Sequence, residues 1–173
     1  MSGTVPPQPQ PSSAPRRRAP WWGIVVFLAL LFGFLIFNYL ASVSGPPIQW
    51  INVRAEQDLN AALQQVSPAK PRVFLYLYDP NDPEGIHARN EREVFAKRMP
   101  KEWLANAVCC RAKIPEGDPL GAKYAYRGTP LFLLLDGKGQ VVMGGRTEGA
   151  ITESQFYTYV GRPIDEALAR QPR

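Results

Sequence analysis

The sequence predicts one membrane-spanning helix followed by a single α/β domain, a mixed sheet with helices on both faces. Three observations carry this expectation: an uncharged apolar stretch from Trp21 to Leu40, two runs of β-formers without polar alternation at Val73–Tyr78 and Leu131–Leu135, and segments of helical periodicity between them.

Residues 1–20 carry Pro6, Pro7, Pro9, Pro11, Pro15 and Pro20 among Ser, Gln and Gly. Such a composition has almost nothing to bury and reads as a disordered, basic, Pro-rich arm. Residues 21–43 follow as the transmembrane helix, because twenty helical residues span about 30 Å, the thickness of a hydrocarbon core. Trp21, Trp22, Tyr39 and Trp50 suit interfacial aromatic belts. A cleaved signal peptide is the rival reading, with Arg16–Arg18 as its basic end and Ala41-Ser42-Val43-Ser44-Gly45 as its cleavage region, but the apolar stretch is long for that role. An uncleaved signal-anchor is the reading adopted.

Arg16, Arg17 and Arg18 abut the helix, and no Lys or Arg follows until Arg54. Positive flanks stay cytoplasmic, so the N-terminus is expected inside and the domain outside, in the periplasm if the source is bacterial. Setting those three arginines aside leaves 17 basic against 15 acidic residues, a net of +2 for the remainder. No basic patch points to nucleic acid. Cys109 and Cys110 are the two cysteines and are adjacent, so no disulfide framework staples the domain.

After a linker over residues 44–49, the domain is expected over 50–162, with a C-terminal tail over 163–173. Ile48, Trp50, Ile51 and Val53 suggest a short strand, and Ala55–Val66 a helix with Leu59, Ala62, Leu63 and Val66 inward. Pro68 and Pro71 end it, and Val73–Tyr78 reads as a central strand covered on both faces. Asp79-Pro80-Asn81-Asp82-Pro83 breaks that strand before a polar helix over Glu84–Arg98, expected to pack through Ile86, Val94, Phe95 and Met99. A strand over Ala107–Ile114 and a short helix over Leu120–Tyr126 come next. Leu131–Leu135, the turn Asp136-Gly137-Lys138-Gly139 and Gln140–Gly145 form a hairpin. Thr152 and Gln155 fit a capping box opening a last helix with Phe156, Tyr159 and Val160 inward.

This βαβαβαββα order, with the stretch Tyr124-Ala125-Tyr126-Arg127-Gly128-Thr129-Pro130-Leu131-Phe132-Leu133-Leu134-Leu135-Asp136-Gly137-Lys138-Gly139, resembles the thioredoxin-like superfamily over about residues 50–162. The resemblance implies a cis-proline loop at Thr129-Pro130, beside the site where that family does its chemistry. A proline at a strand's first residue is also physically sensible, since it cannot donate to a sheet ladder. Matching on Arg92-Glu93-Val94-Phe95 places the family's Cys-x-x-Cys at Glu84-Gly85-Ile86-His87, where neither cysteine is present. Disulfide exchange needs a thiolate, so Glu84 and His87 mark degenerate active-site positions and the chain is expected to be redox-inactive.

The same positions and the two cysteines also admit other chemistry. Glu84 and His87 could face one side of a first helical turn as an acid–base or metal-binding pair, but two ligands do not make a metal site, and neither a metal nor another cofactor is expected. Cys109 and Cys110 should alternate to opposite faces of their strand, as small buried hydrophobes, with Cys110 joining Val108, Ala112 and Ile114. The expected function is a membrane-tethered protein- or peptide-binding or scaffolding module using Thr129 and Pro130. The enzyme alternative is an exported thiol-disulfide oxidoreductase or redox sensor using Cys109 or Cys110. A third possibility makes the anchor or the arm the recruiting element and the domain a folded cap.

Overall fold

A computed structural model describes residues 21–43, 45–115 and 117–171 of this chain. The Pro-rich arm and its arginines lie outside the described residues. The chain divides into two units, Met1–Asn38 and Tyr39–Arg173. Helix α1 (Trp21–Val43) is apolar on every side, and Trp21–Leu40 is long and apolar enough to cross a membrane. Its one amide side chain is satisfied within the helix, since Asn38 Nδ2 donates to the Phe34 carbonyl at 2.9 Å.

The second unit is a five-stranded sheet in the order β1-β3-β2-β4-β5. Strands β1 (Trp50–Asn52), β3 (Val108–Lys113) and β2 (Val73–Tyr78) run parallel, β4 (Leu131–Leu135) is antiparallel to β2, and β5 (Val141–Glu148) is antiparallel to β4. Every residue of β2 and β4 is buried, as unbroken apolar runs require when both sheet faces are covered. Alternation divides the core in two. One layer holds Leu75, Leu77, Leu131 and Leu133 under Leu59 of α2 (Glu56–Leu63) and Leu120 of α5 (Pro119–Lys123). The other holds Phe74, Tyr76, Phe132 and Leu134 under the helical segments that carry Val94, Leu104, Phe156 and Ile164. Each large side chain so buried contributes about 1.5–3 kcal/mol.

Several expectations need correction. The charged segment expected as one helix over 84–98 is two: α3 (Ile86–Asn90) runs into a π-helical turn (Glu91–Phe95), and a separate α4 (Arg98–Ala105) follows extended Lys97. Pro100 is tolerated because it sits in the first turn of α4, where backbone N–H groups have no helical acceptor. Val94 and Phe95 are buried as expected, whereas Met99 is 42% exposed. Trp50 is not an interfacial residue, for it packs in the second layer with its ring 5.2 Å from that of Phe95. Strand β5 continues past Gly145 to Glu148, because Gly144, at φ 74°, absorbs a register shift against β4.

The last helical segment also runs beyond the expected boundary at residue 162. Thr152 caps α6 (Glu153–Phe156) by accepting from the Gln155 amide, and Gln155 answers the Thr152 amide at 2.9 Å. A second π turn (Tyr157–Gly161) leads to α7 (Arg162–Ala169), whose Ile164 is fully buried. Residues expected as a tail therefore complete the second layer.

Candidate functional site

The end of β2 delivers two aromatic side chains to one face of the sheet, since Tyr76 and Tyr78 are two residues apart. Their rings stack 5.4 Å apart, and His87, in the first turn of α3, stacks on Tyr78 at 3.9 Å. The Tyr76 hydroxyl and His87 Nδ1 lie 3.0 Å apart. Asp82 builds the turn that sets this up, its carboxylate accepting from the amides of Glu84 and His87, each at 3.0 Å. Gly85 enters the helix at φ 65°, a conformation that disfavours a side chain.

Burial lowers the His87 pKa first, and the Arg111 and Lys113 cations add to this, while Asp82 opposes them. The imidazole is thereby held in its neutral form. Tyr76 is shifted upward by burial, so its hydroxyl keeps its proton. Glu91 is also raised by burial, with Arg111 opposing.

Glu84 and His87 do not share a helical turn. Glu84 precedes the capping Gly85 and is exposed, and it is absent from the charges that act on His87. The acid–base pair imagined from their spacing is therefore not assembled. No cluster of three or more metal-ligating side chains forms among the described residues.

The Thr129–Pro130 peptide is not cis, nor is any other among the described residues. The expected sharp turn is made instead by Gly128, at φ 88°, one residue earlier. Pro130 is buried, and its carbonyl accepts from the Gly149 amide at 2.7 Å. Arg146 of β5 holds the preceding loop from below: Nη1 donates to the Tyr124 carbonyl at 2.7 Å and Nη2 to that of Ala125 at 3.3 Å. The register Leu77↔Leu131 places Pro130 opposite Tyr78, the residue on whose ring His87 stacks. The Thr129 main chain makes no hydrogen bond among the described residues. A cleft of about 520 Å³ adjoins it, lined by Asp79, Ile114, Asp118, Tyr126, Arg127 and Gly128.

The cysteines stand apart from this surface. Cys110 lies in the first core layer with Val108, Ala112 and Ile114, and Cys109 in the second. Both are buried free thiols, and no disulfide joins them. Burial pushes each pKa up to about 12, with the neighbouring Cys110 adding to the effect at Cys109. Cys109 Sγ donates to the Leu104 carbonyl at 3.3 Å, while Cys110 has no such partner.

Sequence reasoning missed Arg146 and Asn90. Asn90 is fully buried, its Nδ2 donating to the Gly149 carbonyl at 3.0 Å and its Oδ1 accepting from the Ile151 amide at 3.3 Å. It ties α3 to the loop that also receives Pro130, and an asparagine inside a charged stretch gave no signal of this.

Comparison with solved structures places the domain among thioredoxin folds. A mutant thioredoxin from Halobacterium salinarum NRC-1 superimposes with a TM-score of 0.52 at 18% identity, over 75% of this chain and 99% of that one. A mutant poplar thioredoxin h gives 0.48 at 16% identity, over 76% and 95%. No protein-family model matches the sequence. No curated protein matches it either. The domain has a thioredoxin-like fold, and at these identities the likeness reaches the fold alone.

Proposed function

We propose that this thioredoxin-like domain is a membrane-tethered module that binds an extended peptide or protein segment along Thr129–Pro130, without thiol-disulfide exchange. The unpaired main chain of Thr129, at the head of β4 and beside an open cleft, carries the reading. An extended segment pairs with such free backbone groups and gains specificity by placing side chains in adjacent hollows. The positions aligned with the dithiol hold Glu84 and His87, and the two thiols present are buried and poorly ionised, which supports a role outside redox chemistry. Tethering rests on α1, and placement of the domain outside the cytoplasm rests on Arg16–Arg18.

Panning a random-peptide library against the domain from residue 46 onward tests the binding role. Thr129→Pro removes the amide N–H and is expected to abolish capture of peptides that the parent retains. Peptides that bind both proteins equally would move the site elsewhere. Reduction of insulin disulfides by the parent, lost in the Cys109→Ser/Cys110→Ser double variant, would restore the oxidoreductase reading. A C-terminal alkaline phosphatase fusion, active when exported, tests the orientation.

A further inference from the structure

A second cleft, of about 560 Å³, opens over the C-terminal ends of β1, β3 and β2 and is lined by Arg54, Tyr78, Arg111, Lys113 and Asp118 among others. The sheet register brings its cations together. Asn52 and Tyr76 flank Arg111, Tyr78 pairs with Lys113, and the Val53 amide donates to the Arg111 carbonyl at 2.8 Å, which keeps the chain leading to Arg54 alongside β3. Arg111 and Lys113, two residues apart, share one face of the strand.

Arg54 and Lys113 form no ion pair among the described residues. Arg111 is held in place, since Nε donates to Asn52 Oδ1 at 2.9 Å and its guanidinium lies 5.7 Å from the centre of the Trp50 ring. Its two terminal nitrogens have no partner among the described residues. The carboxylate of Asp118 is already engaged, because Oδ1 accepts from the amides of Leu120 at 2.8 Å and Gly121 at 3.2 Å. Half-buried Glu91 and Arg111 act on each other through their charges, and neutral His87 adds none. Three cations thus line one hollow with one carboxylate, and their mutual repulsion is relieved by an anion carrying about two charges.

We infer that this cleft binds a phosphate dianion, either free phosphate or the phosphate group of a small organic phosphate. Arg111 offers a preset donor fork, and Arg54 and Lys113 supply charge from the rim. The two clefts adjoin at Pro115 and Asp118, but of the two only this one is lined by Arg54, Arg111 and Lys113, so the loss of either activity can be read without the other.

Calorimetric titration of the full chain in uncharged detergent micelles, at about 0.15 M salt where screening acts beyond about 8 Å, tests this with two probes, inorganic phosphate and glycerol 3-phosphate. Saturable binding is expected for at least one. Arg54→Gln and Lys113→Gln should each weaken it about tenfold, while Lys113→Arg retains it. Lys138→Gln removes the same charge from the β4–β5 turn at the opposite end of the sheet and should change nothing. Tighter binding of glycerol 3-phosphate identifies an organic phosphate as the ligand, and equal or tighter binding of inorganic phosphate identifies the free ion. Absence of binding by both probes, binding undiminished in either Gln variant of the cleft, or equal loss in Lys138→Gln would overturn the inference.

Discussion

Replacing each cysteine by serine should separate two residues that look equivalent in the sequence. At Cys109 the new hydroxyl inherits the Leu104 carbonyl that the thiol already uses at 3.3 Å, so the cost is a small loss of packing, about 1 kcal/mol. At Cys110, fully buried among Leu75, Val108 and Ala112, the hydroxyl meets no acceptor, because the thiol it replaces has none within hydrogen-bond reach among the described residues. An unpartnered buried hydroxyl costs about 1–3 kcal/mol, and lost sulfur contacts add to it, giving about 3 kcal/mol. With about 4 °C of melting temperature per kcal/mol for a domain of this size, Cys110→Ser should melt about 8 °C below Cys109→Ser. Thermal unfolding of the domain from residue 46 onward, followed by circular dichroism, measures the difference. A Cys109→Ser variant that melts at or below Cys110→Ser would refute the account of both environments.

Other outcomes follow from the same geometry. Because His87 has its pKa lowered on folding, the unfolded chain binds more protons just below pH 6.5, so stability falls as pH drops through that window. His87→Gln should remove that component of the pH dependence, and the single histidine makes its titration readable by proton NMR. Asn90→Ala strands the Gly149 carbonyl and the Ile151 amide and should cost about 3 kcal/mol in urea unfolding. Gly144→Ala forces a side chain onto φ 74° in β5 and should cost about 1–2 kcal/mol by the same measurement. Thiols with a pKa near 12 are about one part in ten thousand ionised at pH 8, so iodoacetamide should label neither cysteine in the folded protein and both in urea.

The parts of the fold legible in the sequence are those whose cause is local or repetitive. Val73–Tyr78 and Leu131–Leu135 announce buried strands by composition, and Thr152 with Gln155 announces a helix start by spacing. The alternation that parts Cys109 from Cys110 is equally local. What stayed hidden depends on partners distant in the chain. Arg111 meets Arg54 through the β1–β3 pairing, Arg146 reaches a loop some twenty residues away, and Asn90 bonds to backbone beyond β5. Helix α4 was hidden for another reason, since Pro100 reads as a breaker until its place in a first turn is known.

The π turn at Glu91–Phe95 has a consequence for how the chain can change in length. Such a turn accommodates one residue more than a regular helix within about the same rotation, so the segments on either side keep their angular phase. Val94 and Phe95 are anchored in the core, whereas His87 must meet the ring of Tyr78. Deleting a single residue between Glu91 and Val94 would allow a regular helix and keep both the core contacts and the direction in which α3 faces, whereas a second deletion would rotate α3 by about 100° about its axis. Only the second deletion would swing the imidazole away from Tyr78 and Tyr76, so at this point the chain can lose one residue while the surface and the core both stay in place.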